Sequence, residues 1–504
     1  MSRMFQFRFH VCTTAAIALS ACGNSTLPGN DDSAIDPGGG GIARPAWEQP
    51  VPKAVCSPED RTETGLQGQV SNADRVSGRS LMGYNCNLDL VGQYAGEGAS
   101  WQMAWFGDCA YYDTAKTVGI STNDTPAGQR VGQVNPGVAV IDASDRTNPV
   151  ATAFLATEAM LDPWESLKVH EQRGLIAAVD GAGSGGSNVF DIYDLSGDCR
   201  QPELLFSGSV GQAVGHAGNF SPDGRFYYGS DTGVGIRAID ISNPSEPALV
   251  AESFPISTHD LSISADGNRT YQAVVGLGEG PDNGLAILDV SEIQAGVANP
   301  TVRVVKEFYW EDGAAAQMTQ KVAIDGHPYL LFVDEGVSGA TAATFCNQGL
   351  PPYAFARLID IADETNPRIV SKLMLETHDP ANCAITTADE KALFNYDSHY
   401  CTVDDIDNAT MVACSYFMSG LRVFDIRDPY LPREIAYYNP PARPGYQAGS
   451  NYNSTGSCGT TDWASSHPRF RLDRGEHGEI WFTSQCNGFQ IVEFTRPLSE
   501  LLVD

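Results

Sequence analysis

The chain contains seven copies of a short, mostly apolar strand that ends in an acidic residue. Residues 138–142 read VAVID, and residues 285–289 read LAILD. The acids that end the copies are Asp142, Asp194, Asp240, Asp289, Asp360, Asp425 and Glu493. Successive acids are 46 to 71 residues apart, which leaves room for several short strands in each copy. Repeats of this kind predict an all-β protein, a seven-bladed β-propeller with one four-stranded blade per copy.

Most copies continue into a polar turn that contains proline. The turns include Asn148-Pro149, Asn243-Pro244, Asn299-Pro300, Asn366-Pro367 and Asp428-Pro429. A carboxylate at the end of a strand can accept a hydrogen bond from the backbone two residues on, so these acids are interpreted as structural. This unit of strand, acid, turn and proline resembles the LVIVD-repeat family of secreted bacterial β-propellers over about residues 88–497. The last copy departs from the pattern, with Glu493 in place of Asp.

The two ends of the repeat region are complementary. Residues 88–94 read LDLVGQY and look like the fourth strand of a repeat, although no repeat precedes them. The last copy lacks a convincing fourth strand after Pro497. We therefore expect the N-terminal strand to complete the last blade and close the ring, which removes two open strand edges. The propeller domain is predicted to span residues 71–504.

The N-terminus has the features of a bacterial lipoprotein. Residues 1–21 form a predicted signal peptide, with Arg3 and Arg8 before an apolar stretch that is too short to span a bilayer. Residues 19–22 read LSAC, which matches a lipobox and predicts lipidation of Cys22. Residues 22–70 are interpreted as the lipidated cysteine and a disordered, flexible tether. Because residue 23 is Gly, we expect an outer-membrane lipoprotein that faces the periplasm or the cell surface.

Cysteine usage agrees with export. The sequence has 12 cysteines, and those outside the signal peptide and the lipobox are even in number. Disulfides are therefore expected, although the pairing cannot be read from the sequence. The main candidates lie in or near long insertions of the later repeats: Cys346, Cys383, Cys401, Cys414, Cys458 and Cys486.

The charge balance restricts the possible partners. The chain has 62 acidic and 31 basic residues, a formal net charge of −31. This excludes nucleic acid as a predicted partner, because phosphate binding needs a basic face. Membrane contact is expected through the lipid anchor only, since no polybasic patch is present to bind anionic lipid. We expect a monomer.

Histidines recur near the start of the innermost strand of several repeats. These are His216, His259, His399 and His467. Asp231 and Asp334 end second strands, which return to the same mouth of the propeller channel. Imidazole and carboxylate groups are the ligands of transition metals, so a metal or ligand site is a candidate there. Hydrogen bonding between blades explains the same pattern, and the equivalent positions of the first, second and fifth copies are expected to hold Ser or Met.

Two functions therefore stay open. The first is a lipid-anchored binding module of the cell envelope that contacts an envelope protein or a glycan through its looped face. That face is expected to carry the long insertions at residues 335–354, 374–397 and 439–465. The alternative is a metal-dependent periplasmic or surface enzyme, an oxidase or a hydrolase, that uses the His/Asp cluster. The sequence assigns no catalytic residue and does not decide whether the protein is an enzyme.

Overall fold

The computed structural model describes most of the chain from residue 44 onward. The described residues are 44–114, 134–180, 188–211, 215–231, 235–253, 256–275, 283–336, 340–389, 394–444 and 457–503. The predicted signal peptide, Cys22 and the tether up to residue 43 lie outside them. Within the described ranges, no helix is long and apolar enough to cross a membrane.

Seven antiparallel sheets form the blades of a β-propeller, which confirms the predicted fold. Two strands precede the first blade: β1 (Tyr84–Cys86) and β2 (Leu88–Tyr94). Blade 1 contains β3 (Ala99–Phe106), β4 (Cys109–Thr114), β5 (Val138–Asp142) and β6 (Val150–Leu155). Blade 2 contains β7 (Lys168–His170), β8 (Leu175–Val179), β9 (Val189–Asp194) and β10 (Glu203–Ser209). Blade 3 contains β11 (Ala217–Phe220), β12 (Phe226–Asp231), β13 (Gly235–Asp240) and β14 (Ala248–Ser253).

The remaining blades follow the same strand order, from the channel outward. Blade 4 contains β15 (Thr258–Ile263), β16 (Arg269–Val274), β17 (Gly284–Asp289) and β18 (Arg303–Tyr309). Blade 5 contains β19 (Ala316–Ile324), β20 (His327–Asp334), β21 (Ala356–Asp360) and β22 (Arg368–Lys372). Blade 6 contains β23 (Cys401–Val403), β24 (Met411–Tyr416), β25 (Gly420–Asp425) and β26 (Arg433–Asn439), and blade 7 contains β27 (Arg469–Arg471), β28 (Glu479–Ser484) and β29 (Gly488–Phe494).

In the part of the chain that the structure describes, α-helices are few and short. They are α1 (Asn72–Ser77), α2 (Glu158–Leu161), α3 (Ser291–Gln294), α4 (Ala340–Gln348), α5 (Cys383–Thr386) and α6 (Leu498–Leu501). The seven copies seen in the sequence are the third strands of the blades, and their apolar side chains pack between neighbouring sheets. Val140 of blade 1, for example, shares a buried cluster with Ile176 of blade 2.

The N-terminal strand closes the ring, as predicted. Strand β2 pairs antiparallel with β29, so that Leu88 lies opposite Phe494 and Tyr94 lies opposite Phe489. Strand β1 pairs with β26 and adds a fifth strand to blade 6. The closing strand supplies backbone partners to the last blade, which otherwise would expose an unpaired edge.

The ordered part of the chain begins closer to the N-terminus than the sequence suggests. The predicted tether extends to residue 70, but residues 44–70 contact the propeller throughout. The backbone N–H of Val51 donates to the Met374 carbonyl oxygen over 2.8 Å, and Cys56 forms a disulfide with Cys86. Glu63 pairs with the buried guanidinium of Arg422. These contacts join residues far apart in the chain, and the segment lacks the apolar periodicity that would have revealed them.

The acids that end the third strands take part in turns. Asp142 accepts a hydrogen bond from the Ser144 N–H over 2.9 Å, and Asp240 accepts one from the Ser242 N–H over 2.8 Å. Glu493, the divergent acid of the last copy, instead pairs with Arg146 of blade 1 over 2.8 Å. The structural interpretation of the acids thus agrees with their contacts.

Five disulfides confirm the expectation drawn from the cysteine count. The pairs are Cys56–Cys86, Cys109–Cys199, Cys346–Cys383, Cys401–Cys414 and Cys458–Cys486. The pair Cys346–Cys383 joins α4 to α5, and Cys401–Cys414 joins the two inner strands of blade 6. Loops closed in this way lose less entropy on folding.

Candidate metal centre

Side chains from five blades converge at one mouth of the channel. His216 directly precedes β11, His259 is the second residue of β15, and His399 lies two residues before β23. Glu165 leads into β7 of blade 2, and its N–H donates to the His216 carbonyl oxygen over 3.2 Å. Glu335 follows β20, the second strand of blade 5, which returns to this mouth. The propeller therefore holds each group at or near the start of an inner strand or, for Glu335, at the end of a second strand.

The Glu165 carboxylate lies at the centre of the cluster and is 2% exposed. Its Oε2 atom is 3.3 Å from His216 Nε2 and 3.2 Å from His259 Nε2. This Oε2 atom is buried without a hydrogen-bond partner. Buried carboxylate oxygens normally accept hydrogen bonds, so an unsatisfied one beside two imidazoles needs an explanation.

The tautomer of His259 makes the arrangement more specific. Its Nδ1 atom is 2.9 Å from the Gln317 carbonyl oxygen, and a carbonyl oxygen can only accept, so Nδ1 carries the proton. Burial lowers the pKa of His259 to about 3, which leaves the ring neutral and its Nε2 unprotonated. A nitrogen lone pair therefore faces the Glu165 oxygen. A hydrogen bond from the far ring nitrogen to a carbonyl is typical of metal-ligating histidines.

His399 contacts the other oxygen of Glu165. Its Nε2 atom is 3.0 Å from Glu165 Oε1, 3.3 Å from Glu335 Oε1 and 3.0 Å from Gln317 Nε2. The Nδ1 atom of the same ring contacts the Ser465 carbonyl oxygen. Three polar groups thus surround one nitrogen, which carries at most one proton.

The electrostatics of the cluster follow from burial and from the mixture of charges. Burial raises the pKa of Glu165, but the imidazoles of His259, His216 and His399 lower it well below its usual range. Burial lowers the pKa of His399, but the carboxylates of Glu165 and Glu335 raise it to about 9. Burial raises the pKa of Glu335. At neutral pH the metal-free cluster therefore contains an ionised Glu165 and a protonated His399.

The donor set fits a transition metal. Ligands about 2.0–2.1 Å from a tetrahedrally bound ion lie about 3.3 Å from one another. The distances from Glu165 Oε2 to the two neighbouring Nε2 atoms match this edge length. The ligand atoms of Glu165, His216 and His259 all lie within 4.8 Å of one another. Glu165, Glu335 and His399 form a second such group.

An aromatic wall covers the imidazoles. The Trp101 and Phe417 rings lie 5.3 and 4.9 Å from the His399 ring, and the Trp164 ring lies 5.2 Å from His216. Trp164, Phe394 and Phe417 have φ values of 48°, 65° and 29°. A positive φ in an aromatic residue costs on the order of 1–3 kcal/mol and clusters at functional sites. The wall is thus held in place against local backbone preference and covers part of the cluster.

The structure brings together only part of the predicted site. His216, His259 and His399 meet around Glu165, but His467 lies elsewhere in the channel, where its Nδ1 is 3.2 Å from the Cys401 carbonyl oxygen. His467 lines a cavity of about 530 Å³ together with residues such as Lys168 and His170.

The two predicted aspartates do not join the described cluster. Asp334 pairs with Arg357 of the same blade and accepts hydrogen bonds from Asn283 and Trp310, which flank strands of blade 4. Asp231 ends β12, with its backbone opposite Gly235, but its side chain lies outside the described part of the molecule.

The expectation of Ser or Met in the remaining copies is wrong in two blades. Glu165 enters the cluster from blade 2 and Gln317 from blade 5. Glu165 stands in the sequence directly before Ser166, and Gln317 directly before Met318. Aligning these two copies one residue closer to the N-terminus would have identified both residues. Glu335, which follows the predicted Asp334, was missed in the same way.

The insertions of the later repeats pack beside the cluster. Ala342 of α4 and Tyr353 share one buried cluster with Trp101, Phe417 and Trp463. The disulfide between Cys346 and Cys383 fixes this region. Much of the third insertion, residues 445–456, lies outside the described residues. The described insertions therefore form part of the wall around the candidate metal centre.

Comparison with known proteins agrees with the repeat pattern. The LVIVD repeat family model matches residues 214–253, which include His216 and the four strands of blade 3. No curated protein matches the chain in sequence. The protein is therefore a seven-bladed β-propeller that carries an LVIVD repeat, as the resemblance of its sequence implied.

Proposed function

We propose that the protein is a metal-dependent enzyme of the cell envelope, with a transition metal ion bound by Glu165, His216 and His259. One observation carries the proposal. The Nε2 lone pair of His259 faces the unpartnered Oε2 of Glu165 at 3.2 Å, and two electron-pair donors approach so closely when a cation lies between them. Three protein ligands leave a coordination position for a substrate, and the ion then acts as a Lewis acid.

The surrounding residues support this role. The carbonyl oxygen of Gln317 fixes the tautomer of His259, and Trp164 packs on His216. His399 holds the other oxygen of Glu165 and so orients the carboxylate. Partners of this kind commonly change metal affinity or activity 10- to 100-fold.

The experiment measures metal in the exported protein. Residues 23–504 are produced in an oxidising compartment without a histidine-rich tag, and bound metals are quantified by mass spectrometry. We expect about one equivalent or more of a transition metal per chain, and none in Glu165→Gln. Glu171→Gln serves as the control, since Glu171 is exposed and bonds to Trp105 away from the cluster. A wild-type chain without metal, even after reconstitution with Zn²⁺, Mn²⁺ or Cu²⁺, would contradict the proposal.

The lipoprotein signals of the sequence support an outer-membrane location for this activity, facing the periplasm or the cell surface. Residues 1–21 would be removed, and the lipid on Cys22 would anchor a monomeric propeller. Mass spectrometry of the mature N-terminus tests this. A lipidated Cys22 that is lost in Cys22→Ser is the expected result, and an unmodified N-terminus at another residue would contradict it.

A binding module is the second candidate. The favouring observation is the ordered wall built by α4, Tyr353 and the Cys346–Cys383 disulfide, which gives this face a fixed surface for an envelope protein or a glycan. In that case, replacing both His216 and His259 by Ala would leave partner capture intact. If the metal carries the function, the same variant would lose activity while keeping its thermal unfolding transition.

A further inference from the structure

The Glu165 carboxylate has two oxygens, and each faces a different set of donors. Oε2 faces His216 and His259, while Oε1 faces His399 at 3.0 Å. Among the described residues, His399 groups with Glu165 and Glu335, and not with the other two imidazoles. A single ion therefore does not reach all three imidazoles in this arrangement.

The second group has the features of a cation site in its own right. Glu335 Oε1 is 3.3 Å from His399 Nε2, and its side chain is 13% exposed. The Nδ1 atom of His399 contacts the Ser465 carbonyl oxygen, which leaves Nε2 as the ring nitrogen that faces the cluster. This Nε2 atom carries at most one proton, yet it lies close to two carboxylates and the Gln317 amide. An ion at this position would contact all of these groups at once.

Gln317 supplies an independent observation. Its Oε1 atom is buried and has no hydrogen-bond partner, while its Nε2 atom lies 3.0 Å from His399 Nε2. The two ends of an amide are assigned from their partners, and a half-turn of this group would place Oε1 beside the His399 nitrogen. Gln317 thus offers a further oxygen ligand at the second position.

From these contacts we infer that the channel holds two metal ions, which share Glu165 as a bridging carboxylate. The inference rests on the proposed function and adds a second site to it. The first ion takes Glu165 Oε2, His216 and His259, and the second takes Glu165 Oε1, Glu335 and His399. The second set is richer in oxygen, so it suits a harder cation such as Mn²⁺, whereas the first suits Zn²⁺ or another ion that prefers imidazole.

The test titrates the metal-free, full propeller chain with Mn²⁺ and follows it by electron paramagnetic resonance. Two-metal sites hold their ions about 3.5–4 Å apart. We expect two ions per chain and a spectrum of an exchange-coupled pair at saturation. The wild-type chain alone gives this answer, so the test does not depend on the folding of a variant.

Variants then separate the two sites. Glu335→Gln should weaken Mn²⁺ binding at the second site at least tenfold and leave one uncoupled ion at the first. His259→Ala should weaken Mn²⁺ binding at the first site. The control Glu171→Gln should keep the coupled pair. One ion per chain, held by His216 and His259 and unaffected by Glu335→Gln, would overturn the second site while the proposed function stands. No bound ion after titration with Mn²⁺, Zn²⁺ and Cu²⁺ in turn would overturn both. Two uncoupled ions would overturn the shared carboxylate.

Discussion

Blade 5 and the channel mouth both bury carboxylates beside basic side chains, but the oxygens of these carboxylates have different partners. In blade 5, Asp334 accepts hydrogen bonds from Asn283 at one oxygen and from Trp310 at the other, where it also pairs with the fully buried Arg357. In the channel, the inner oxygen of Glu165 has no donor, although two imidazole nitrogens lie within 3.3 Å.

The two regions show how a structural buried charge can be distinguished from a functional one. Burial raises the pKa of Asp334, and Arg357 partly offsets this, so the pair stabilises the blade only as a unit. Arg422 and Glu434 form a comparable buried pair in blade 6. Burial alone therefore does not mark a site in this protein. An unsatisfied carboxylate oxygen that faces the lone pair of an imidazole nitrogen, as Glu165 Oε2 faces His259 Nε2, does mark one.

The largest expected effect is on the structural side of the comparison. Arg357→Met removes the cation from between Asp312 and Asp334 and leaves the fully buried Asp334 carboxylate without a cation, while Asp312 keeps its ion pair with Lys372. We expect a loss of about 3–5 kcal/mol in the free energy of unfolding, measured by denaturant titration. Arg368→Met is the matched control, since the Arg368 side chain is 68% exposed and Asp360 keeps its hydrogen bond from the Ala362 N–H, so the pair should contribute at most about 1 kcal/mol. Equal losses of stability in the two variants would show that the buried Arg357 contributes no more than an exposed arginine.

A second prediction concerns a structural imidazole. His378 is fully buried, accepts from the Leu375 N–H over 2.8 Å and lies 2.9 Å from the Tyr396 carbonyl oxygen. Burial lowers the pKa of His378 to about 4, below the ordinary value of 6.5. As the pH falls from about 6.5 to about 4, the unfolded chain therefore binds a proton that the folded protein does not. Stability falls by about 1.4 kcal/mol per pH unit, or about 3 kcal/mol in all.

His378→Gln isolates this contribution, because other groups also titrate in the same range. The wild-type protein should lose more stability than the variant between pH 7 and pH 4, as measured by unfolding at each pH. If the free energy of unfolding changed with pH equally in the two proteins, burial of His378 would not lower its pKa. The contrast between this hydrogen-bonded imidazole and the imidazoles at the channel mouth would then be wrong.

The smallest of these effects compares two histidines of the same channel. His259→Ala removes a ligand from the metal centre and should weaken Zn²⁺ binding at least about 100-fold, equivalent to about 2.7 kcal/mol. His467→Ala should change the affinity less than about threefold, because its ring contacts Cys401 and Thr402 away from Glu165. Isothermal titration calorimetry measures both, and a reversed order would contradict the assignment.

The fold could be predicted from the sequence because the same strand pattern occurs in every blade. Seven similar third strands, and the unmatched strand at residues 88–94, determine both the blade count and the closure, since each depends on local pattern and strand pairing. The ordered conformation of residues 44–70 was not predicted, because it depends on contacts with residues far away in the sequence, such as Arg422 and Met374.

The site was less predictable, because neighbouring residues on a strand differ in direction. The repeated histidines indicated the correct mouth, yet His467 and Asp334 face other partners. Glu165 and Glu335 stand at positions where no repeated residue type draws attention to them. Their role appears only when neighbouring blades are packed together.

The most direct test of the account is a crystal structure of the metal-loaded protein with anomalous diffraction data collected at the absorption edge of the bound metal. The account predicts an anomalous peak about 2.0–2.2 Å from Glu165 Oε2, His216 Nε2 and His259 Nε2. A fully loaded protein whose peak lies away from Glu165, or a channel in which Glu165 accepts hydrogen bonds from both imidazoles without a peak, would contradict it.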